Sequence, residues 1–256
     1  MTSLRPIAAA AALFLVCAAS APARAETFSD TQRTEIEAII KEYLLKHPEM
    51  VQEAISELER RQDAEQAEKH KGAIKENAKL LYSSPRQVTL GNPNGNVTFV
   101  EFFDYNCGYC KHAMEDMLAL LKTDTNLKVV LKEFPVLGPG SVEAAQIAVA
   151  VRMQDPTGKK YLEFHQKLLG GRGQADRARA LAVAKEVGLD MVRLEKDLNG
   201  AEVKASLAES MKLAEALGAN GTPTYVVGSD IVMGAVGLEA LQQRIDKQRK
   251  CGESGC

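Results

Sequence analysis

The pattern of apolar and polar positions changes several times along the chain. Residues 7–20 are an almost unbroken apolar run, and residues 26–82 carry apolar positions at helical spacing among many charged ones. Residues 96–103 form a short run of mainly β-branched and aromatic side chains, and helical spacing returns from 142 to 217. The pattern predicts an apolar leader, a helical arm, and an α/β domain interrupted by a long helical block.

The apolar run at 7–20 follows Arg5 and is followed by a small-x-small pattern that ends at Ala25. These features are typical of a secretory signal peptide. The alternative is a membrane anchor, but the run is shorter than the roughly 20 residues that cross a bilayer. We therefore predict a signal peptide at 1–25, removed together with Cys17, and a mature protein in the bacterial periplasm, where disulfides persist.

Residues 26–85 are predicted to form a helical arm and linker. A first helix is expected to end at His47-Pro48 and a second to begin there, because proline fits the first turn of a helix. The segment 59–72 is polar on every side, which indicates either a helix that crosses solvent or a flexible linker. The apolar positions of the two helices form one stripe: Ile36, Ile39, Ile40, Tyr43, Leu44, Val51, Ala54, Ile55 and Leu58.

This apolar stripe has two interpretations. It can pack on the α/β domain of its own chain, or it can pack against copies of itself. Two short helices isolated by a polar segment have too little surface to fold alone, so association would supply the missing burial. We therefore favour a homo-oligomer held by the arm, with a boundary near Pro85 and the α/β domain at 86–250.

Composition and charge exclude some functional classes. The chain has 256 residues, with 32 basic against 34 acidic side chains and a formal net charge of -2. A basic surface that follows a phosphate backbone is not indicated, so no nucleic-acid partner is expected. Five cysteines are too few for a small disulfide scaffold, and each has to be interpreted by its position.

Cys107 and Cys110 stand where the predicted strand at 96–103 meets a helix, in the order Cys-Gly-Tyr-Cys. A C-x-x-C at such a junction indicates redox chemistry. Free N–H groups and the positive end of the helix dipole stabilise a thiolate, so we expect Cys107 to be the nucleophile. Cys110 is expected to attack the mixed disulfide formed at Cys107, with Gly108 and Tyr109 between the sulfurs.

Glu101 interrupts the same strand shortly before Cys107. A buried and unpaired carboxylate is costly, so the pKa of this group is expected to be raised. Such a group can accept a proton, through water, when Cys110 has to become a nucleophile. The alternative is an outward-facing strand residue with an ordinary pKa.

A further motif, Thr222-Pro223, precedes a second β-type run at 225–227. Together with the Glu-bearing strand and Cys-Gly-Tyr-Cys, it resembles the thioredoxin superfamily, and the helical block at about 139–218 resembles the insertion of the DsbA-like periplasmic oxidoreductases. The resemblance implies an α/β thioredoxin fold with a helical insertion and a cis bond before Pro223. It also implies that substrate binds beside Thr222 and Pro223, with Gly108 and Tyr109 completing the predicted substrate-binding set.

Within that group, the helical arm, the segment 134–141 and the Thr-Pro motif resemble the suppressor of copper sensitivity protein C type. This implies a trimer joined by the N-terminal helices and a membrane reductant of the DsbD or ScsB type. Cys-Gly-Tyr-Cys also matches the isomerase DsbC, whereas DsbA itself has Cys-Pro-His-Cys. The favoured function is a disulfide isomerase that acts on protein substrates without a cofactor. The alternatives are a monomeric dithiol oxidase of the DsbA type and a copper(I)-binding thiol protein.

The tail at 251–256 carries a second pair, Cys251 and Cys256. An intrachain disulfide on a mobile tail is the favoured interpretation in an oxidising compartment. Intermolecular pairing and capture of copper(I) are the alternatives, because thiolates suit that ion. Two sulfurs without a nearby histidine do not by themselves predict a metal site.

Overall fold

The computed structural model describes residues 28–252. The predicted signal peptide with Cys17 and the last cysteine, Cys256, lie outside the described residues. Within the described part, no helix combines the length and the apolar character needed to cross a membrane.

Helices and strands alternate in the order expected of a thioredoxin fold with an insertion. The first elements are α1 (Asp30–Lys46), α2 (Pro48–Tyr82), β1 (Val88–Gly91), β2 (Val97–Phe103), α3 (Gly108–Thr123) and β3 (Leu127–Glu133). The chain continues with α4 (Pro139–Gln154), α5 (Lys159–Gly170), α6 (Arg177–Glu186), α7 (Met191–Leu198) and α8 (Ala201–Ala216). The last elements are β4 (Thr224–Val227), β5 (Asp230–Met233) and α9 (Leu238–Cys251).

Local signals explain the start of α1 and the break between α1 and α2. The Ser29 side chain accepts the N–H of Gln32, and the Gln32 side chain accepts the N–H of Ser29, which makes a capping box. His47 ends α1 and Pro48 begins α2. The polar segment 59–72 is helical, because α2 runs through it without a break.

The sheet has the strand order β1-β3-β2-β4-β5. Strands β2 and β3 are parallel, and the other neighbouring pairs are antiparallel. A parallel pair needs a crossover connection, which α3 supplies between β2 and β3. The predicted α/β thioredoxin fold is confirmed, and the helical insertion comprises α4 to α8 between β3 and β4.

Both faces of the central strand β2 are buried, and they contact different sets of residues. Phe99 and Phe103 belong to the larger core cluster, which also contains both cysteines of the C-x-x-C, whereas Val100 and Phe102 belong to a second cluster. Side chains alternate between the two faces of a strand. Glu101 therefore lies on the face that Phe99 and Phe103 share with the cysteines.

The last turns of α2 help to cover the second face of the sheet. Ile74 and Leu81 are buried in the second cluster. Lys132 of β3 donates to the carbonyl of Leu80 at 2.6 Å, and Lys128 donates to another carbonyl at the end of the helix at 2.7 Å. The last carbonyls of a helix have no partner within the helix, so these two lysines satisfy them from the sheet.

Contacts divide the chain into two compact units, residues 1–58 and residues 59–256. In the first unit, no residue of α1 is buried. The second unit begins within α2, so the division by contacts differs from the predicted boundary near Pro85, and the predicted domain limits stay predictions. The large apolar side chains of the stripe are exposed: Ile36, Ile39, Ile40, Tyr43, Leu44, Val51, Ile55 and Leu58.

Candidate active site

The turn between β2 and α3 brings Cys107 to the start of the helix. Cys107 is the N-cap of α3, and its backbone N–H donates to the carbonyl of Asp104 at 3.1 Å. The N–H of Cys110 donates to the carbonyl of Cys107 at 3.1 Å. Cys107 is 5% exposed and Cys110 is 0% exposed, and both thiols are free. The outer thiol is thus the one that a substrate can reach first.

The Thr222-Pro223 loop lies directly against the outer cysteine. The peptide bond between Thr222 and Pro223 is cis, as the resemblance implies. The Cys107 Sγ donates to the carbonyl oxygen of Thr222 at 3.2 Å. The carbonyl of Pro223 accepts the N–H of Gly234 at 2.8 Å, which ties the loop to the end of β5. The fold therefore joins two motifs that are 115 residues apart in the sequence.

Gly108 and Tyr109 form the exposed part of the first turn of α3. Tyr109 is 69% exposed, and a side chain at Gly108 would meet no atom within 4 Å. The roles of these two residues in substrate binding stay predictions.

Glu101 is 2% exposed in the interior of β2. Burial, and to a smaller extent the negative charge of Asp116, raises the pKa of Glu101 to about 8. Its Oε2 atom has no hydrogen-bond partner among the described residues. Glu101 is thus a buried carboxyl group and not the outward-facing strand residue of the alternative, while its part in catalysis stays a prediction.

Cys110 needs a proton acceptor. Burial raises the pKa of its thiol, and the negative charge of Glu101 raises that pKa further. Only the thiolate attacks a disulfide, so the proton has to leave before Cys110 can react. A carboxyl group with a pKa of about 8 exchanges protons close to neutral pH, so Glu101 is the candidate acceptor, and this role stays a prediction.

The turn before α3 is held by two polar side chains that the sequence analysis missed. Asp104 is 1% exposed, and its Oδ2 accepts the N–H groups of Val136 at 2.8 Å and Leu137 at 2.9 Å. Asn106 exchanges two hydrogen bonds with the backbone of Ala175, at 2.7 and 2.9 Å. The signal was present, since Asp and Asn in a turn commonly bond to backbone groups, but only the fold shows which groups they reach.

Tyr225 is a further residue that the sequence analysis treated only as part of a strand. It lies directly opposite Glu101 in the pairing of β2 with β4. Tyr225 is 1% exposed, and its hydroxyl has no hydrogen-bond partner among the described residues. Burial, followed by the charges of Glu101 and Cys110, raises its pKa, so the phenol stays protonated at neutral pH.

A second buried polar group lies at the end of β3. The Tyr161 hydroxyl donates to Glu133 Oε1 at 2.5 Å, and the Tyr105 hydroxyl lies 3.4 Å from both the Tyr161 hydroxyl and His165 Nδ1. Burial raises the pKa of Glu133 to about 8 and lowers the pKa of His165 to about 3. His165 is therefore a neutral packing residue.

Between residues 28 and 252, no group of three or more His, Cys, Asp or Glu is arranged to hold a metal ion. Cys251 is disulfide-bonded, and since the other two described cysteines are free, its partner lies outside the described residues. Its pairing with Cys256 stays a prediction.

A family model for the DSBA-like thioredoxin domain matches residues 98–246. The chain belongs to this family of thiol-disulfide oxidoreductases. A second model, for the copper resistance protein ScsC N-terminal domain, matches residues 32–65, which cover most of α1 and the first half of α2. The resemblance inferred from the motifs is confirmed.

Solved structures share the fold. A thioredoxin-like oxidoreductase from Silicibacter pomeroyi DSS-3 is 45% identical, with a TM-score of 0.64, over 68% of this chain and 98% of that chain. ScsC from Proteus mirabilis, in a transitional conformation, is 26% identical, with a TM-score of 0.65, over 87% of this chain and 99% of that chain. The likeness to ScsC therefore covers more of this chain than the family domain alone.

Curated relatives include the Na(+)/H(+) antiporter NhaA 1 of Salinispora arenicola, which is 30% identical over 162 residues. The match covers 62% of this chain but only 24% of the antiporter, so this chain spans about a quarter of that relative's length. The similarity concerns one segment of the antiporter.

Proposed function

We propose that this protein is a periplasmic disulfide isomerase that exchanges disulfides through Cys107 and Cys110. The observation that carries the proposal is the contact of Cys107 Sγ with the Thr222 carbonyl, at 3.2 Å and next to the cis bond before Pro223. The outer thiol thus lies beside backbone groups to which an extended peptide can add. The signal-peptide pattern at 1–25 supports the periplasmic location.

The first step takes place at Cys107. Its thiolate attacks one sulfur of a substrate disulfide, a new S–S bond forms, and the substrate S–S bond breaks. The electron pair leaves on the second substrate sulfur as a thiolate. The N-cap position of Cys107 supports this step, because free N–H groups of the first turn and the helix dipole stabilise the attacking anion.

The mixed disulfide can be resolved by two reactions. Another substrate thiol can attack it, which rearranges the substrate and returns Cys107 as a thiolate. Alternatively, Cys110 attacks Cys107 Sγ, and Glu101 accepts the proton of Cys110; the products are a Cys107–Cys110 disulfide and a reduced substrate. The second reaction oxidises the protein by two electrons, so an isomerase needs a reductant. For this reductant we propose a membrane partner of the DsbD or ScsB type.

The arm supports a homo-oligomer, with a trimer as the favoured state. Ile39 is 65% exposed, Ile40 53% and Tyr43 51%, in one stripe. An apolar stripe of this extent on a soluble chain is typical of an interaction surface. An oligomer offers several active sites to one misfolded substrate, which raises the effective concentration of thiols around it.

The test is reactivation of scrambled ribonuclease by residues 26–256 and by two variants at adjacent positions of α1. Ile40→Glu adds a negative charge inside the stripe, and Lys41→Gln, outside the stripe, changes the net charge by the same amount. Light scattering should show that the Ile40→Glu oligomer dissociates. This variant should no longer reactivate ribonuclease, but it should still reduce a small disulfide. Lys41→Gln should behave as the parent protein.

Two outcomes would contradict the proposal. A dissociated Ile40→Glu variant that still reactivates ribonuclease would show that isomerisation does not depend on the arm. If the parent protein oxidises reduced substrates but never reactivates scrambled ones, it is a dithiol oxidase of the DsbA type.

Copper(I) binding is a second candidate, favoured by the match of residues 32–65 to a copper resistance protein model. Cys107 and Cys110 are both free thiols, and thiolates suit copper(I). Stoichiometric copper(I) binding that is lost in Cys107→Ser, together with the absence of disulfide exchange in the parent protein, would favour this candidate over the isomerase.

A further inference from the structure

Tyr225 and Glu101 form a cross-strand pair of buried polar side chains. They are direct partners in the antiparallel pairing of β2 with β4, so their Cβ atoms lie about 5 Å apart on one face of the sheet. Tyr225 belongs to the same core cluster as Cys107 and Cys110. Its ring packs on Phe99, with ring centroids 5.2 Å apart. The hydroxyl is therefore carried into the site by a rigid strand.

Both residues end in an oxygen without a partner. The Tyr225 hydroxyl and Glu101 Oε2 are buried and make no hydrogen bond to any described residue. A buried polar atom left unpaired is destabilising, and phenylalanine would fill the same space without this cost. Buried waters commonly bridge such pairs of groups. We therefore expect the Tyr225 hydroxyl to have a role other than packing.

We propose that Tyr225 is a positioning residue for Glu101: its hydroxyl donates, through one buried water, to the Glu101 carboxylate and holds it as the acceptor of the Cys110 proton. This inference rests on the proposed function. A hydrogen bond to the ionised carboxylate favours that form and so opposes the effect of burial. Because the raised pKa keeps the Tyr225 phenol protonated, it remains a donor.

The other elements around Glu101 leave this role to Tyr225. The partner of Glu101 on β3 is the apolar Leu131, and the buried residues of α9 are Leu241 and Ile245. From α3, Asp116 contributes negative charge, which raises the pKa of Glu101. Cys110, also on α3, is the group whose proton Glu101 accepts. Apart from the weakly donating Cys110 thiol, Tyr225 is the group of this set that can donate a hydrogen bond without carrying a charge.

In the mixed disulfide, Cys110 gives its proton to the Glu101 carboxylate, and the Cys110 sulfur forms a bond with Cys107 Sγ. The bond between Cys107 and the substrate sulfur breaks, and its electron pair leaves on the substrate sulfur. The protein dithiol is oxidised and the substrate disulfide is reduced by two electrons.

The test measures this step alone. The reduced protein is mixed with oxidised glutathione, and acid quenching with mass analysis follows the formation and the decay of the Cys107–glutathione disulfide from pH 5 to 10. In Tyr225→Phe, we expect unchanged formation, a decay about tenfold slower at pH 7, and a decay midpoint about one pH unit higher. Tyr82→Phe, a tyrosine outside this site, is the matched control.

Glu101→Gln separates this inference from the proposed function. We expect it to remove the midpoint near pH 8, and Tyr225→Phe should have no additional effect in that background. If Glu101→Gln leaves the profile unchanged, the proposed role of Glu101 fails, and the inference fails with it. If Glu101→Gln removes the midpoint but Tyr225→Phe does not move it, or slows formation and decay equally, only the inference about Tyr225 is overturned.

Discussion

Apolar side chains are exposed in the unit that ends at Leu58 and mostly buried in the unit that contains the sheet. On α1, isoleucine, leucine and tyrosine side chains are exposed and none is buried. In the sheet unit, both faces of β2 are buried, and even a carboxyl group, Glu101, is withdrawn from solvent. The sheet unit therefore buries its own apolar surface, whereas the arm leaves its apolar stripe exposed.

Cys107→Ser should have the largest effect, and it should affect only the sheet unit. Without the outer thiolate no mixed disulfide can form, so we expect a complete loss of turnover with an insulin disulfide substrate. Light scattering should show unchanged association. Cys110→Ser is the control variant, because it should accumulate the mixed disulfide at Cys107. Full turnover by Cys107→Ser would contradict the mechanism.

Leu81→Ala and Leu58→Ala compare the two units within one helix. Leu81 is 0% exposed and Leu58 is 56% exposed. Removal of a buried leucine side chain leaves a cavity, so Leu81→Ala should lower the free energy of unfolding of the sheet unit by about 2–4 kcal/mol. Leu58→Ala should change it by less than about 0.5 kcal/mol and should instead weaken association. Urea unfolding and light scattering measure the two effects, and equal losses of stability would contradict the assignment of the last turns of α2 to the sheet unit.

Glu101→Gln should stabilise the sheet unit in a pH-dependent way. The folded pKa of Glu101 is about 8, above that of an unfolded glutamate, so its contribution to stability is complete below about pH 4.3. That contribution is lost as the pH rises through about 8. Since glutamine does not ionise, the variant should gain on the order of a few kcal/mol over the parent protein at pH 8 and little at pH 4.

Thermal unfolding of Glu101→Gln at several pH values checks this expectation, with Glu37→Gln on the exposed α1 as control. A stability difference that does not grow between pH 4 and 8 would count against a buried, proton-exchanging Glu101.

Removal of a helix cap should give the smallest difference in effect between the two units. Ser29 caps α1 and Asp190 caps α7, where it accepts two backbone N–H groups. Each change to alanine should cost about 1 kcal/mol of helix stability. We expect Asp190→Ala to lower the unfolding free energy of the sheet unit, while Ser29→Ala weakens association alone. A loss of sheet stability in Ser29→Ala would mean that α1 supports the sheet unit.

Sequence reasoning reached the elements with a clear apolar pattern and missed those without one. Helical spacing from 142 to 217 predicted the block that contains α4 to α8, and a run of β-branched and aromatic residues predicted β2. Strands β1 and β5 have four residues each, too few for a periodic pattern, and α9 buries only Leu241 and Ile245. These elements depend on pairing and packing with distant segments, so their local sequence carries little signal.

The sequence by itself identified the main functional features of this protein: two thiols at a helix start, a carboxyl group in an apolar strand, a Thr-Pro motif and an apolar stripe on charged helices. The tertiary structure alone decided which groups meet, because contacts between distant segments depend on strand pairing. It joined Thr222 to Cys107, set Tyr225 opposite Glu101, and fixed the turn through Asp104. Burial, which shifts the pKa values of these groups, is likewise a property of the folded chain.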